Sequence, residues 1–523
     1  MRQVEFPSKR ETVLVPLLAV ILSISAAWHY YTRGMTTAFT DTVARLLLGR
    51  SITDAVNPGL QQNGGIWPPL PQFFMQPFIQ IDVLYRTGLA GAIPQMIGYV
   101  LAAVCMYRLA KLYDVSAVAA AGAFLIISNP NVLAMQSVPM AESMFVSFMV
   151  MSVYFLAKWE RNRSSYGHLM LCGICVAGAC YTRYEGYILA LTMLPVVTLI
   201  IWEELRRYDR KTQVEGVIAH VFVFGISVAI GLGVWLLFQA AYFRDPIYFL
   251  RSPYSPWAVA QESLSYVDDQ YKTGGKFMLS LKVYARTVFD NVGIVPLVIA
   301  IAGLTLCVSK LRVSLTRWLI PFIFLFPFPF FVFALWQGSS VVIWHPDYMF
   351  GANWATRYGT LMIPAIALFA SFAISRMNNK WFRLVAIGLI FFTSVSMWYE
   401  GPISLGEAIA NQEDEETQAQ RAAGEWFADT YDGGLVLMQR ANSASIAFNS
   451  EIDLRDIVSE NTPSEWNQAL HDPVGSQIDW IVMRKAIRTG QEDNVWRSLH
   501  ASDQILEYQI IYDENGVQIY RRI

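Results

Sequence analysis

Charged residues are scarce in this sequence: they make up 15% of the 523 residues, whereas 54% are hydrophobic. A disordered or purely solvent-facing chain needs the opposite balance, so that class is excluded. The 39 Lys and Arg and the 41 Asp and Glu give a net charge of −2. Because nucleic-acid binding requires a basic surface, we expect no nucleic-acid partner.

Cysteine is also scarce, with five residues that all fall in apolar stretches. An odd number in such surroundings gives no readable disulfide framework. Cys172 and Cys175 form a Cys-x-x-Cys pair, but no second pair accompanies them in that stretch. We interpret them as small packing residues of a membrane helix.

What the sequence does have is long hydrophobic runs, and its mean hydropathy is +0.35. The runs are about 15 to 22 residues long, which matches the thickness of a hydrocarbon core. They predict about eleven membrane spans, at 12–30, 88–106, 115–129, 139–157, 167–182, 186–203, 216–238, 287–308, 318–336, 358–375 and 381–399. The predicted fold class is therefore an α-helical polytopic membrane protein.

Basic residues cluster in alternate short connections between these runs, as in Arg206, Arg207, Arg210 and Lys211. Such connections are retained in the cytoplasm. The pattern predicts a multi-pass protein of the cytoplasmic membrane with its N-terminus in the cytoplasm. Because the number of predicted spans is odd, the C-terminal segment is predicted to lie outside the cytoplasm.

The C-terminal segment, residues 402–523, differs in composition from the rest. It holds 21 of the 41 acidic residues but only 9 of the 39 basic ones. Helical and strand-like patterns alternate along it, with a helix predicted over 413–428, and Asn515-Gly516 between two apolar stretches is a hairpin signal. We predict a small extracytoplasmic α/β domain at 402–523 and a transmembrane catalytic domain at 1–401, which contains a long first outer loop at 31–87.

Two carboxylates stand out on the predicted outer side. Asp41 lies in the first outer loop, a short distance beyond the first span. Glu142 begins the fourth span, where a lone carboxylate would be unfavourable, so we expect it to have a functional partner. The alternative for Glu142 is a carboxylate that the helix dipole stabilises at a helix N-terminus.

Two arginines lie at the same predicted depth. Arg183 is followed by Tyr184 and Glu185 between the fifth and sixth spans, and Arg357-Tyr358 opens the tenth. Guanidinium groups are suited to phosphate, so these five residues are candidates for substrate binding. In the alternative interpretation, Arg183 pairs with Glu185 or Glu142, and Arg357 extends to the interface.

His345 and Asp347, in another outer loop, form a His-x-Asp pair. Together with Asp41 and Glu142 they could hold a divalent metal, but two adjacent ligands are insufficient for that assignment. We therefore predict no cofactor and consider both residues candidates for substrate contact.

Several of these features together resemble the GT-C glycosyltransferases, most closely the protein mannosyltransferases and aminoarabinose transferases. They are Asp41 in a long first outer loop, the re-entry segment Trp67-Pro68-Pro69-Leu70, the acidic segment Pro139–Ser143, and the segments 182–187 and 245–250. In the protein mannosyltransferases two adjacent acids occupy the first-loop position, whereas Thr42 follows Asp41 here, so a protein acceptor is not directly implied.

The resemblance implies a hexosyl, mannosyl or pentosyl transferase. A polyprenyl- or dolichyl-phosphate-linked sugar would be the donor, and a lipid, glycan or protein would be the acceptor at the membrane surface. Asp41 would be the general base of an inverting reaction. Glu142 would be the second catalytic carboxylate and would orient the acceptor or the donor sugar. Arg183 and Arg357 would stabilise charge on the leaving phosphate.

Two other functions compete with this interpretation. A transporter also places ionisable residues in the membrane, but it predicts inverted repeats or paired broken helices, and the sequence shows neither. A membrane scaffold would explain the acidic C-terminal segment. It would not explain why Asp41, Glu142, Arg183 and Arg357 cluster on one side.

Overall fold

The computed structural model describes residues 8–265, 267–338, 341–349 and 351–523. The chain divides into two compact units. The first consists of residues up to 32, residues 65–71 and residues 92–407. The second consists of residues 33–64, 72–91 and 408–523.

The first unit is helical throughout its described part. Its longer helices are Lys9–Tyr31, Leu89–Leu112, Ala117–Ile127, Glu142–Arg161, Tyr166–Cys180, Glu185–Glu204, Arg210–Phe243, Pro256–Ser265, Phe277–Val292, Ile294–Leu311, Pro327–Gln337, Ile363–Arg376 and Lys380–Glu400. Shorter helical segments are Pro130–Met135, Leu205–Arg207, Tyr248–Arg251, Leu315–Leu319, Ile320–Leu325, Thr356–Met362 and Ile403–Leu405.

Seven helices among the described residues are long and apolar enough to cross a membrane, or eight if Leu315–Leu325 and Pro327–Gln337 form one bent span. This confirms a polytopic membrane protein, although the count is lower than the eleven predicted spans. Three predicted spans account for the difference. Ala117–Ile127 and Tyr166–Cys180 are shorter than the roughly 20 residues that a full crossing requires. Glu142–Arg161 begins and ends with charged residues.

One predicted span, 287–308, is interrupted in the structure. Gly293 has a φ of 83° and separates the helix Phe277–Val292 from the helix Ile294–Leu311. That left-handed conformation is readily available to glycine, which explains why the break occurs there. Further along, Gly303 lets Ile294–Leu311 approach Ile363–Arg376, since a Cβ at Gly303 would lie 1.7 Å from the Phe369 carbonyl oxygen.

The second unit is built from segments far apart in the chain. The first outer loop contributes the helices Thr40–Ser51 and Asp82–Arg86 and most of Leu70–Ile79, with short 3₁₀ turns at Met35–Thr37 and Leu60–Asn63. The C-terminal segment contributes the helices Gly406–Glu413, Glu415–Thr430, Ala444–Asn449, Pro463–His471 and Asn494–Leu499, with 3₁₀ turns at Leu454–Asp456 and Asp503–Glu507. Most of the predicted first outer loop therefore packs with the C-terminal segment, and the compact units follow different boundaries from 1–401 and 402–523.

A five-stranded sheet confirms the α/β character predicted for the C-terminal segment. Its strands are β1 Leu435–Leu437, β2 Ile457–Val458, β3 Ile478–Arg484, β4 Tyr508–Glu514 and β5 Val517–Arg522, in the order β2-β1-β3-β5-β4. The first three are parallel, and β5 is antiparallel to β3 and β4. Asn515 and Gly516, both with positive φ, form the predicted hairpin turn between β4 and β5.

The core of the second unit combines both parts of the chain. Leu46 and Ile79 of the loop are buried in one hydrophobic cluster with Phe427, Trp480 and Ile519 of the C-terminal segment. Polar contacts reinforce this packing. The Arg86 guanidinium donates hydrogen bonds to the Phe448 and Glu451 carbonyl oxygens, both at 2.9 Å.

These two bonds give a test of the second unit. Replacing Arg86 with Met keeps most of the aliphatic stem but removes both donors, which should destabilise the unit by about 1–3 kcal/mol. We expect faster amide hydrogen exchange over 444–451 in the purified protein. Arg497→Met is the matched control, because among the described residues the Arg497 side chain bonds to its near neighbours 493 and 494. Equal exchange rates in Arg86→Met and wild-type protein would contradict this role.

Candidate active site

The centre of the first unit's polar site is the Glu142 carboxylate. Its side chain is only 1% exposed, and its Oε1 accepts hydrogen bonds from Arg183 Nη1 at 2.7 Å and Arg357 Nε at 3.0 Å. One oxygen atom is thus shared by guanidinium groups from two distant segments. Such charge-assisted bonds are the strong class of hydrogen bond, and burial strengthens them.

Each arginine has a further carboxylate of its own. Arg183 Nη2 and Nε bond to Glu185 Oε1 at 2.6 and 3.2 Å. Arg357 Nη1 bonds to Glu407 Oε2, which also accepts the Ala355 amide at 2.9 Å. The result is a chain of alternating charges from Glu185 to Glu407, which we call the ion-pair cluster.

The ion-pair cluster favours the charged form of Arg183. Burial alone would lower the pKa of Arg183, but the Glu185 and Glu142 carboxylates, together with a hydrogen bond to Glu185, raise that pKa well above its usual value. Three carboxylates against two guanidinium groups leave the ion-pair cluster with a formal charge of −1.

Tyr358 covers the two guanidinium groups. The carbon centres of the Arg183 and Arg357 guanidinium groups lie 4.6 and 5.3 Å from the Tyr358 ring centroid. The ring also stacks on Phe331, with centroids 5.3 Å apart. Cation–π contacts of this kind add to the ion pairs and fix the plane of each guanidinium group.

Local structure explains how these side chains meet. Glu142 is the first residue of the helix Glu142–Arg161, where the helix dipole stabilises a carboxylate. Arg183 lies in the turn between Tyr166–Cys180 and Glu185–Glu204. Arg357 is in the 3₁₀ turn Thr356–Met362, which rests against the helix Phe277–Val292.

A buried amide holds that 3₁₀ turn in place. Asn291 Nδ2 donates to the Thr356 carbonyl oxygen at 2.9 Å, and Asn129 and Asn131 both donate to the Asn291 carbonyl oxygen, at 2.7 and 3.1 Å. Gly359 permits the close contact, since a Cβ there would lie 2.4 Å from Asn291 Nδ2. The position of Arg357 therefore depends on a network that lies outside the ion-pair cluster.

The structure brings together five of the sequence-predicted site residues: Glu142, Arg183, Glu185, Arg357 and Tyr358. Arg183 pairs with both Glu185 and Glu142, as the alternative interpretation anticipated. Arg357 is only 4% exposed and is paired with carboxylates, which contradicts its extension to the interface. Phosphate binding by the two arginines stays a prediction.

Tyr184 has a different environment. Its hydroxyl donates to the Ile66 carbonyl oxygen, and its ring stacks on Phe249 with centroids 5.3 Å apart. In the same region the Leu70 amide donates to the Tyr181 carbonyl oxygen at 3.0 Å. These contacts fix the Trp-Pro re-entry segment onto the first unit. A substrate-binding role for Tyr184 stays a prediction.

His345 and Asp347 form a second polar cluster with Asp290. His345 is buried, its Nε2 lies 2.8 Å from Asp290 Oδ2, and its Nδ1 accepts the Asp347 amide at 3.2 Å. One ligand atom from each of the three residues lies within 4.8 Å of the others, so the set could hold a metal ion. However, Arg286 Nε lies 3.1 Å from Asp290 Oδ2 and 2.9 Å from Asp347 Oδ2, where it already supplies positive charge.

From the sequence we considered a divalent metal site formed by Asp41, Glu142, His345 and Asp347. The cluster of possible metal ligands in the first unit has a different composition. Glu142 is bound by two guanidinium groups and does not belong to the set around His345. Asp290, a residue that sequence reasoning missed, is therefore the third member of that set and its second carboxylate.

Asp41 belongs to the second unit. It lies in the first turn of the helix Thr40–Ser51 and is partly exposed. The first-turn position is favourable for an ionised carboxylate because the helix dipole is positive there. A role for Asp41 as general base stays a prediction.

Sequence reasoning missed Glu407, Arg286 and Asp290. Arg286 directly precedes the apolar run 287–308, and Asp290 lies within it, four residues further on. That spacing indicates an ion pair on one helix face. Glu407 gave no distinct signal, because it stands at the start of a segment rich in acidic residues.

This fold is that of the GT-C glycosyltransferases. The structure of ArnT from Cupriavidus metallidurans bound to undecaprenyl phosphate matches with a TM-score of 0.55 and 12% identity, over 99% of each chain. The apo oligosaccharyltransferase of Archaeoglobus fulgidus matches with a TM-score of 0.50 and 12% identity, over 99% of this chain and 75% of the other. The predicted fold class is confirmed.

The sequence adds a family match within this fold class. Residues 89–247 match the family described as dolichyl-phosphate-mannose-protein mannosyltransferase. No curated protein matches the chain at a significant level. Family match and fold together confirm the resemblance read from the sequence; they support a glycosyltransferase that uses a lipid-linked sugar, and they give no support to a transporter.

The shared Glu142 carboxylate gives a stability test. Glu142→Ala leaves two buried guanidinium groups without their common partner, which should lower stability by about 3–5 kcal/mol. Glu142→Gln keeps one acceptor oxygen and should therefore lose less stability than Glu142→Ala. Thermal unfolding of the detergent-purified protein measures both. The control Glu203→Gln removes a carboxylate that is 42% exposed and 3.8 Å from Arg206, and it should change the midpoint little. Equal midpoints for Glu142→Ala and the control would rule out this role.

Proposed function

We propose that the chain moves a monosaccharide from polyprenyl or dolichyl phosphate to an extracytoplasmic acceptor, with inversion at the anomeric carbon. The observation that carries this proposal is the buried ion-pair cluster. It fixes two guanidinium groups, the kind of donor that stabilises charge growing on a phosphate. Glu142 and Arg183 both lie within the family match over 89–247. The undecaprenyl phosphate bound to ArnT supports a polyprenyl phosphate as the leaving group.

The proposed reaction needs no additional reactant. The acceptor hydroxyl gives its proton to the Asp41 carboxylate as its oxygen forms a bond to the anomeric carbon of the sugar. The bond from that carbon to the phosphate oxygen breaks, and its electron pair leaves with the polyprenyl phosphate. General-base catalysis of this kind contributes about 10²–10⁴ in rate.

Arg183 retains donors for a phosphate. A guanidinium group has five N–H donors, and the bonds of Arg183 to Glu142 and Glu185 use its Nε and one N–H on each Nη. We propose that its two remaining N–H donors, together with Arg357, bind the leaving phosphate. Positive charge already fixed in place stabilises the transition state without reorganisation.

Glu142 has a narrower role in this proposal than the sequence suggested. Because its Oε1 accepts from both arginines and its side chain is 1% exposed, it acts as a positioning residue that sets the spacing of the two guanidinium groups. The sugar itself is then oriented by other residues, for which His345 and Asp347 are candidates.

The general base is tested by Asp41→Asn, which preserves size and hydrogen bonding but removes basicity. Release of polyprenyl phosphate from a polyprenyl-phosphate-linked sugar, measured with purified protein and acceptor, should fall by about 10²-fold or more. Asp82→Asn is the matched control, since Asp82 is also a first-turn Asp of a loop helix and is 75% exposed. Near wild-type turnover of Asp41→Asn would assign the base to another residue.

The proposal also includes an orientation, with the N-terminus in the cytoplasm and residues 402–523 outside it. The alternating basic connections support this. Reporter fusions after residue 310 should read cytoplasmic, and fusions at the C-terminus extracytoplasmic. The opposite result at either site would place the proposed chemistry on the wrong face of the membrane.

A further inference from the structure

The three parallel strands of the second unit are followed by helices on opposite faces of the sheet. The helix Ala444–Asn449, which follows β1, packs in one hydrophobic cluster with Val436. The helix Pro463–His471, which follows β2, packs in another cluster with Leu437. Val436 and Leu437 are neighbours in β1, and successive side chains of a strand point to opposite faces. The chain therefore leaves β1 toward one face and β2 toward the other.

This topology opens a crevice at the carboxyl ends of β1 and β2, which lie side by side in the sheet. In open α/β sheets, ligands bind at such a switch point, outside the carboxyl ends of the strands. Residues 438–443 follow β1 and residues 459–462 follow β2. The two segments meet where the Glu460 carboxylate accepts the Arg440 amide at 3.0 Å and the Ala441 amide at 2.6 Å.

Arg440 is a buried arginine at this crevice without an ion pair. It is 5% exposed, and its buried Nε has no hydrogen-bond partner. Within the described ranges, its guanidinium group makes no hydrogen bond or salt bridge, because both oxygens of Glu460 are bound to backbone amides. Burial accordingly lowers the pKa of Arg440. Since buried charges in proteins are normally paired, this guanidinium group needs an anionic partner.

Two buried hydroxyl groups add to the unused donors. Ser443 Oγ and Tyr85 Oη lack hydrogen-bond partners among the residues that the structure describes. The Ser443 amide donates to the Arg440 carbonyl oxygen at 3.3 Å, so the two residues share one turn. Burial raises the pKa of Tyr85 to about 12, and Arg440 is one of the cations that oppose this rise. Tyr85 thus lies within electrostatic range of Arg440 and keeps its proton.

This set of donors matches a carboxylate. A guanidinium group binds the two oxygens of a planar carboxylate through two parallel N–H bonds, and hydroxyl groups can donate to the remaining lone pairs. The Glu460 and Asp54 carboxylates also act on Arg440. A singly charged ligand is therefore favoured over a dianion, which would be repelled more strongly by these two acids.

We propose that this crevice binds a small molecule through its carboxylate group, with Arg440 as the bidentate donor and Ser443 and Tyr85 as further donors. Tyr85 comes from the first outer loop, and Gln62 of that loop donates to the Asn461 carbonyl oxygen at 3.3 Å. A ligand at this position is held by the loop and the C-terminal segment together. The site is independent of the proposed transfer reaction.

Binding is measured on the full-length protein in detergent, with acetate as the probe. Chloride replaces acetate to keep the ionic strength constant, and sulfate serves as the dianion. Saturation-transfer NMR reports acetate binding, and thermal unfolding reports the stabilisation that a ligand of the folded state produces. Acetate should bind saturably and raise the unfolding midpoint. Chloride and sulfate should bind about tenfold more weakly or not at all.

Two variants locate the site. Arg440→Met keeps the aliphatic stem, removes the guanidinium group and should abolish saturable acetate binding. Tyr85→Phe keeps the ring, removes one donor and should weaken binding about tenfold. The control Arg522→Met should bind like wild type, because the neighbouring Arg521 pairs with Trp480 near the start of β3, at the opposite edge of the sheet. Thermal unfolding verifies folding, and Tyr85→Phe keeps the test decisive if Arg440→Met does not fold.

The inference is overturned if acetate shows no saturable binding, which would mean that water alone satisfies these donors. It is also overturned if chloride or sulfate binds as tightly as acetate, or if either folded variant keeps the wild-type affinity. None of these measurements uses a lipid-linked donor. Failure of the proposed function would instead appear as no release of polyprenyl phosphate.

Discussion

The polar site of the first unit depends on one buried carboxylate. Glu142 binds two guanidinium groups that arrive from different turns, and each of these is held by a second carboxylate. Removing Glu142 would take from both guanidinium groups the carboxylate that they share, which is strongly unfavourable in a low-dielectric interior. The helix start at Glu142, the turn at Arg183 and the 3₁₀ turn at Arg357 are therefore fixed relative to one another by electrostatics as well as by packing.

This pairing has a consequence for how an anion could bind. With three carboxylates and two guanidinium groups, the ion-pair cluster does not attract a phosphate by net charge. Affinity must come from N–H donors already oriented by their carboxylate partners, so geometry replaces net charge as the source of selectivity. For the proposed phosphate site we therefore expect selectivity for an anion whose oxygens match the directions of these N–H donors.

Properties set by local sequence were predictable, and those set by distant contacts were not. The helix over 413–428 and the Asn515-Gly516 hairpin follow from periodicity and turn chemistry, and the structure has them at Glu415–Thr430 and between β4 and β5. Arg183 and Arg357 were predicted at one depth because both lie at the outer ends of predicted spans, and both bind Glu142 in the structure. The partnership of Glu407 with Arg357 joins residues 50 apart, and no local pattern encodes it. The packing of the first outer loop against the C-terminal segment is equally non-local.

That packing dictates an order of events during synthesis. Residues 33–64 and 72–91 leave the ribosome more than 300 residues before 408–523, with which they form one compact unit. The loop that carries Asp41 therefore lacks its core partners until strands β1 to β5 have been made. Closing so long a loop is entropically unfavourable and slow. The residue proposed as the base thus gains its folded surroundings only after residues 408–523 have been synthesised.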